Sequence, residues 1–234
     1  MVDFNKYKVL SFDCYGTLID WESGILQALR PVLASHNINL NDDQILEVYA
    51  QIESRVEEGE FVKYKEVLRK VVRELGRRLR FAPSSSQLDC LINSVKDWVP
   101  FPDTVDALQA LKKTFKLAII SNVDDDLFAL SAKHLKVKFD WVITAEQAKI
   151  YKPSLNIFKF AIEKIGVSRE EILHIAQSLY HDIVPAEKLG LSTVWVNRRK
   201  GKKGFGATPP ANGHFEFEVP DLKTLVSIMR LDSQ

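Results

Sequence analysis

A Rossmann-like α/β fold, with a parallel sheet flanked by helices and a helical unit inserted into it, is what the sequence predicts. Three observations lead there. Short apolar runs recur along the chain and end in polar residues; amphipathic helical patterns separate them; and the stretch 21–97 breaks this rhythm, with helical periodicity and no clear strand.

The first run, Lys8–Phe12 (KVLSF), reads as a buried strand that delivers Asp13-Cys14-Tyr15-Gly16-Thr17 at its carboxyl end. Residues 21–97 then carry helical patterns that include Asp42–Glu57, Val62–Arg80 and Ser85–Lys96, with a turn at Pro83–Ser86. Trp98-Val99, Pro100 and Pro102 mark the return to the core. A helix over Asp103–Lys113 precedes the strand Leu117–Ile120, which ends in Ser121-Asn122. The helix Asp124–Lys133, the strand Trp141–Thr144, the pair Lys152-Pro153 and the helix Ser154–Ile165 follow. The strand Ile172–Ala176 opens into Gln177–Asp182, and the helix Asp182–Leu189 leads to the last predicted strand, Ser192–Val196. Each of these later helices begins near an Asp or Ser suited to capping it. Arg198–Gly213, basic and then rich in Gly and Pro, reads as a long surface loop. Residues 1–20 and 98–234 form the expected core, and 21–97 the insertion.

Composition narrows the partners. The chain has 234 residues, 32 Lys and Arg against 31 Asp and Glu, and a net charge of +1, which offers nucleic acid or an anionic membrane no electrostatic attraction. Two cysteines are too few for a disulfide framework or a metal cluster and suit a reducing cytoplasm. No run approaches a membrane span, and the start MVDFNKYKVLSF lacks the apolar region of an export signal.

The chemistry concentrates at strand ends. A carboxylate at the end of a buried strand is costly unless something pairs or uses it, and Gly16 relaxes the turn that follows Asp13. Ser121-Asn122, Lys152-Pro153 and Gln177–Asp182 stand at or near the ends of other predicted strands, and in a parallel sheet these converge on one edge.

This set, in this order, resembles the haloacid dehalogenase superfamily, whose motifs are a strand-end Asp with a Gly-Thr turn, a strand-end Ser or Thr, a Lys, and a strand-end acidic cluster. The insertion at 21–97 matches the place of the family's cap domain, and IYKP at 150–153 is similar to the type II 2-haloacid dehalogenase branch. Most relatives are magnesium-dependent phosphatases. Here the position of their second Asp is Tyr15, whose unperturbed pKa near ~10 makes it a weak general acid. A metal-binding Asp of the last motif is replaced by Gln177, leaving Asp182, and one lost carboxylate impairs a magnesium site. The resemblance therefore implies hydrolytic, metal-independent displacement of halide from a small 2-haloacid, haloacetates and fluoroacetate included, with no cofactor and only water as the second substrate.

In that reading Asp13 attacks the carbon bearing the halogen and forms an ester that water hydrolyses. Lys152 keeps Asp13 ionised, while Thr17, Ser121 and Asn122 hydrogen-bond to the substrate carboxylate or nearby groups. Asp182 holds Lys152 or the hydrolytic water. Trp21 either closes the pocket from the cap entrance or serves as ordinary packing. Tyr15, Gln177, Ser178, Tyr180 and His181 complete the substrate and halide contacts, with His181 ordering water or, when protonated, donating to departing halide. The cap arginine of type II enzymes aligns with Ala50, with Arg55 nearby; a later Tyr becomes Phe158, and the Ser-x-Asn of the last motif becomes Gln177-Ser178-Leu179. His36, His134, His174 and His214 are read as structural, and Cys14 is given no role. A homodimer through exposed cap helices is compatible with the resemblance. A magnesium-dependent phosphatase of a small metabolite and a non-catalytic binding protein on the same fold are the alternatives.

Overall fold

The computed structural model describes residues 3–231; the first two and last three residues assigned to the core lie outside that range. Six strands, β1 (Val9–Phe12), β2 (Lys116–Ser121), β3 (Trp141–Thr144), β4 (Ile172–Ala176), β5 (Ser192–Val196) and β6 (Phe217–Val219), form one parallel sheet in the order β3-β2-β1-β4-β5-β6. The chain starts at the centre, builds outward to β3, and crosses back over β1 to add β4 to β6. Phe12 pairs with Ile119 on one side and Ile175 on the other, so the residues after β1, β2 and β4 emerge side by side at the sheet's carboxyl edge. Both β1 and β4 are buried throughout, as expected of strands covered by helices on both faces. The sixth strand was not predicted. In Phe217-Glu218-Val219 only Val219 is buried and Glu218 is exposed, so this short edge strand lacks the continuous apolar run that marked the others.

Five helices lie within residues 21–97: α1 (Trp21–Ser35), α2 (Asp42–Glu57), α3 (Tyr64–Leu79), α4 (Ser85–Leu88) and α5 (Cys90–Ser94). The first was not resolved as a separate element by its sequence. The stretch Ser85–Lys96, expected as one helix, is broken at Asp89, whose carboxylate is held by Arg69 Nε at 2.6 Å, and it ends in a 3-10 turn at Val95–Asp97. Helices α6 (Thr104–Lys112), α7 (Asp125–Leu135), α8 (Ala145–Ala148), α9 (Leu155–Ile165), α10 (Val184–Lys188) and α11 (Leu222–Ile228) complete the fold. What was expected as a helix from Asp182 begins earlier, as a π-helical turn over Leu179–Ile183 that buries His181 and Asp182.

Two expected caps serve other elements. Asp124 makes no side-chain cap to α7; its carboxylate accepts the N–H groups of Tyr64 (2.8 Å) and Lys65 (3.0 Å), the otherwise unsatisfied donors at the start of α3. Asp103 binds Arg198 and the N–H of Leu222 instead of capping α6. The segments that lead into and out of the inserted helices run beside each other: Asp20 N–H donates to Val99 O at 2.9 Å, and Phe101 N–H to Leu18 O at 3.0 Å.

The loop after β5 is more than surface. Arg198 donates to Thr17 O from Nε and Nη2, Arg199 pairs with Glu22 of α1 at 2.6 Å, and the N–H of Ala207 donates to the same Glu22. Gly206 has φ +72°, and a Cβ there would lie 1.9 Å from Glu22 Oε1, so only glycine lets the backbone approach this closely. The anchored loop buries Thr208 above the sheet edge. Among the described residues no helix is long and apolar enough to cross a membrane.

Candidate functional site

Asp13 is the first residue beyond β1 and forms part of the wall of a cavity of about 30 Å³, space for about two water-sized centres. Its two carboxylate oxygens are held separately. Oδ1 accepts from Lys152 Nζ at 2.8 Å, and Oδ2 accepts from the Thr17 hydroxyl at 2.7 Å. The turn through Gly16, at φ +91°, brings Thr17 back beneath Asp13, and the Thr17 oxygen in turn accepts the N–H of Gln177 at 2.9 Å. The backbones after β1 and β4 are thus tied through one hydroxyl.

All three donors of the Lys152 ammonium are satisfied, by Asp13 Oδ1, by Ile120 O at 3.0 Å and by Asp182 Oδ1 at 2.8 Å. Its main chain is clamped by Asn122, whose Oδ1 accepts the Lys152 N–H and whose Nδ2 donates to Lys152 O. Behind Asp182, His174 Nε2 lies 3.0 Å from the same Oδ1, and its other ring nitrogen lies 2.9 Å from Ser11 Oγ. A carboxylate is acceptor only, so His174 carries a proton on Nε2. His174, read as structural, therefore belongs to the supporting network.

The electrostatics follow from this packing. Burial pushes the Asp13 carboxyl above its ordinary range, Lys152 and Thr17 pull against that, and Asp182 adds to it. Against the cost of burial, Lys152 and His174 hold Asp182 below the usual carboxylate range. Burial opposes the charge on Lys152, yet Asp13 and Asp182 raise its pKa above the lysine value. One ammonium between two carboxylates keeps Asp13 available as an anion.

The opposite wall comes from the inserted helices and, apart from Trp21, was not anticipated. Glu53 and Glu57, one turn apart on α2, face the cavity together with Tyr64 and Trp21. Glu53 Oε1 accepts from Tyr64 at 2.5 Å and from Tyr49 at 2.8 Å. Glu57 Oε2 accepts from Asn122 Nδ2 at 3.0 Å. Burial raises Glu53 to about 7, the two tyrosines working against the shift; burial and then the charge of Glu53 push Glu57 well above the usual carboxylate range. Thr208 also reaches the cavity, from the anchored loop. A signal for the acids was present, since Tyr49, Glu53 and Glu57 recur at a spacing of four on the helix face that buries Ile45, Leu46 and Ile52.

Of the expected contacts, Tyr15, Trp21, Ser121, Asn122, Ser178 and His181 line the cavity with Asp13, Lys152 and Asp182. Several do so differently from expectation. The Tyr15 hydroxyl is 2.9 Å from Ser131 Oγ on α7 and its ring packs edge-on against Trp98, so it forms wall with its hydroxyl engaged by Ser131. Thr17 lies behind Asp13 with its hydroxyl engaged, and the Asn122 amide is taken by Lys152 and Glu57. Gln177 and Tyr180 are not brought in: they lie along outer grooves, Tyr180 beside Ala50, Arg55 and Glu58. Arg55 therefore does not replace the missing cap arginine. His181 does not act as an imidazolium at neutral pH, because burial lowers its pKa to about 4. Its Nδ1 lies 3.3 Å from Ser178 Oγ; when that hydroxyl donates, the proton sits on Nε2, which is buried and has no protein partner. Glu57 Oε1, Ser121 Oγ and Asp182 Oδ2 are likewise buried without a protein partner. These atoms converge on the cavity and need a ligand or water to satisfy them. Cys14 is buried, and burial raises its thiol well above the ordinary value.

The magnesium of phosphatase relatives does not fit this donor set. The Lys152 ammonium already neutralises Asp13 Oδ1 and Asp182 Oδ1 at 2.8 Å and would repel a dication beside them, and the Gln177 side chain lies elsewhere.

Comparison with known proteins agrees with this architecture. A family described as haloacid dehalogenase-like hydrolase matches residues 7–190. The (S)-2-haloacid dehalogenase 4A of Burkholderia cepacia is 28% identical over 97% of this chain and 93% of its own. The haloacetate dehalogenase of Moraxella sp. (strain B) is 26% identical over 96% of this chain and 98% of its own. Among solved structures, the L-2-haloacid dehalogenase of Xanthobacter autotrophicus with chloropropionic acid covalently bound superposes with a TM-score of 0.79 at 22% identity, covering 96% of this chain and 98% of that one.

Proposed function

The chain belongs to the haloacid dehalogenase-like hydrolases, and on that premise we propose that it hydrolyses the carbon–halogen bond of a small 2-haloacid with Asp13 as nucleophile. The observation that carries the reading is the single ammonium of Lys152 held 2.8 Å from both Asp13 and Asp182, at the floor of a cavity sized for a few heavy atoms. An Asp13 oxygen attacks the carbon bearing the halogen; the carbon–halogen bond breaks, and its electron pair leaves with the halide. The resulting ester is cleaved by water at the Asp13 carboxyl carbon, which returns the aspartate and releases a 2-hydroxyacid. Asp182 Oδ2, partnerless on the same cavity, is where that water is held. Ser121 and His181 supply hydrogen bonds to substrate, and Trp21 and Tyr15 form apolar walls.

Residues 21–97 act as a cap over a core of residues 1–20 and 98–234. Phosphoryl transfer is less well served, because the position two residues after Asp13 carries a phenol bonded to Ser131 rather than an acid facing the leaving group. The free thiols of Cys14 and Cys90 suit a cytoplasmic setting.

The test is halide release from chloroacetate, fluoroacetate and both enantiomers of 2-chloropropionate in the presence of a chelator. Asp13→Asn is the control, with an aryl phosphate plus magnesium alongside. Release that survives chelation and vanishes in Asp13→Asn supports the reading. Magnesium-dependent phosphate release without halide overturns it.

A further inference from the structure

A 2-haloacid is an anion, yet this cavity offers it no spare cation. The donors of Lys152 are all engaged, Arg55 lies outside, and the wall above Asp13 carries the carboxyl groups of Glu53 and Glu57. We propose that Glu57 is the substrate anchor, binding the carboxylate as an uncharged acid that donates a hydrogen bond from Oε1, with Glu53 as the ionised partner that keeps the proton on Glu57. This assignment rests on the dehalogenation reading and names the residue that fills the missing arginine's role.

The geometry divides the two acids. Glu57 Oε2 is fixed by Asn122, which leaves Oε1 buried and partnerless beside the cavity. Glu53 receives two phenolic donors, the arrangement that stabilises a carboxylate anion. Two carboxyls one helical turn apart in a buried site do not both ionise readily; the better-solvated one loses its proton first and raises the other. The shifts at the two groups run in that order.

The other titratable groups around Glu57 fit the same picture. His181 Nε2 lies 3.8 Å from Glu57 Oε2, and with a pKa near 4 it is a neutral donor at pH 7. Lys152 faces Glu57 across the cavity but is shared between Asp13 and Asp182. The phenols of Tyr49, Tyr64, Tyr151 and Tyr180 feel the charge of Glu57 and stay protonated through the neutral range, each raised by burial. Glu58, the next residue, lies in the outer groove with Tyr180. A substrate carboxylate thus meets O–H groups from Glu57 and Ser121 and an N–H from His181.

The experiment measures kcat/KM for chloroacetate from pH 5 to 10 in the wild type, Glu57→Gln, Glu57→Ala and Glu53→Gln, with chloroacetamide as the uncharged comparison. The wild type loses activity roughly tenfold per pH unit once Glu57 ionises. Glu57→Gln still donates but cannot ionise, so the activity it has at pH 7 carries on to alkaline pH without the fall. Glu53→Gln moves the fall to lower pH. Glu57→Ala raises KM by about tenfold to a hundredfold, the range for a hydrogen bond to a charged group. An alkaline fall unchanged in Glu57→Gln overturns the proposal, as does a wild-type preference for chloroacetamide. An NMR titration with acetate, which undergoes no turnover, separates the two readings. Acetate binding that weakens with pH in the wild type but not in Glu57→Gln upholds the anchor even if no halide is released; binding flat with pH in the wild type removes the anchor while leaving dehalogenation standing.

Discussion

The carboxylate of Asp124, at the head of α7, accepts the backbone N–H of Tyr64 at 2.8 Å and so caps a helix that belongs to the inserted segment. The Lys65 N–H binds the other oxygen, and the Lys65 side chain pairs with Asp126 at 2.5 Å, so the start of α3 is fastened to the sheet edge. Replacement Asp124→Ala leaves two N–H groups unpaired in a buried setting and is expected to cost about 1–2 kcal/mol, the upper half of the range for caps. Urea unfolding reads the loss. Hydrogen exchange at the first turn of α3 should accelerate more than exchange in β1.

Lys152→Met removes the charge that balances Asp13 and Asp182. Breaking a buried ion pair from one side costs about 3–5 kcal/mol, and halide release should fall with it. The sign with pH follows from the two partners. Lys152 has a raised pKa, so its contribution is present below the ordinary lysine value and is lost as pH rises through the folded value. Asp182 has a lowered pKa, so its contribution is present above the ordinary carboxylate value and is lost as pH falls through the folded value. Without the ammonium both carboxyls titrate higher, and the variant's deficit should shrink between pH 7 and pH 5, read from thermal midpoints.

Glu53 sets a stability slope of the opposite sense. Its folded pKa is about 7 against an ordinary 4.5, so the folded state holds the proton more tightly and stability declines as pH rises from about 4.5 to 7. The ceiling on that decline is about 3 kcal/mol, from roughly 1.4 kcal/mol per unit. Glu53→Gln keeps an acceptor for Tyr49 and Tyr64 but cannot ionise. Urea midpoints should fall less between pH 5 and pH 8 in this variant than in the wild type.

Gly16→Ala tests the turn beneath the nucleophile. The backbone sits at φ +91°, and a Cβ would lie 2.9 Å from Trp21 Nε1 and 3.1 Å from Gln177 Oε1. A strain of about 1–3 kcal/mol is expected. Because the same turn aims Thr17 at Asp13, kcat should drop more than stability alone explains, as measured on a sample shown by circular dichroism to be folded.

The core was legible because parallel strands covered by helices are largely apolar, and five such runs stand out, four of them followed by polar residues that the topology gathers. The convergence of Asp13, Lys152 and Asp182 was readable for the same reason: strand order places their segments together. Glu53 and Glu57 escaped notice because a charged residue on a helix is ordinarily solvent-facing, and only its place on the stripe of Tyr49 and Ile52 shows otherwise. Tyr180 was misplaced because the π-helical turn at Leu179–Ile183 rotates side chains away from α-helical positions, turning His181 and Asp182 inward; Gln177 precedes that turn and meets the site through its backbone N–H to Thr17. Thr208 could not be read from a Gly- and Pro-rich loop whose course depends on Arg199 finding Glu22 far away in the chain.

The paired segments around Ile19 and Pro100 have a consequence for how such a protein diversifies. The chain leaves the sheet and returns to it at neighbouring points, bridged antiparallel at those two residues. Whatever lies between enters and leaves the core at one narrow stalk, and is held to it otherwise by side-chain contacts such as Asp124 with the start of α3 and Arg199 with Glu22. Replacing the helices therefore needs no change in strand register and leaves the nucleophile, its lysine and its second carboxylate where they are. Glu53 and Glu57 ride on the exchangeable part, so taste in substrates can evolve by swapping or reshaping a module while the bond-breaking apparatus is inherited unchanged.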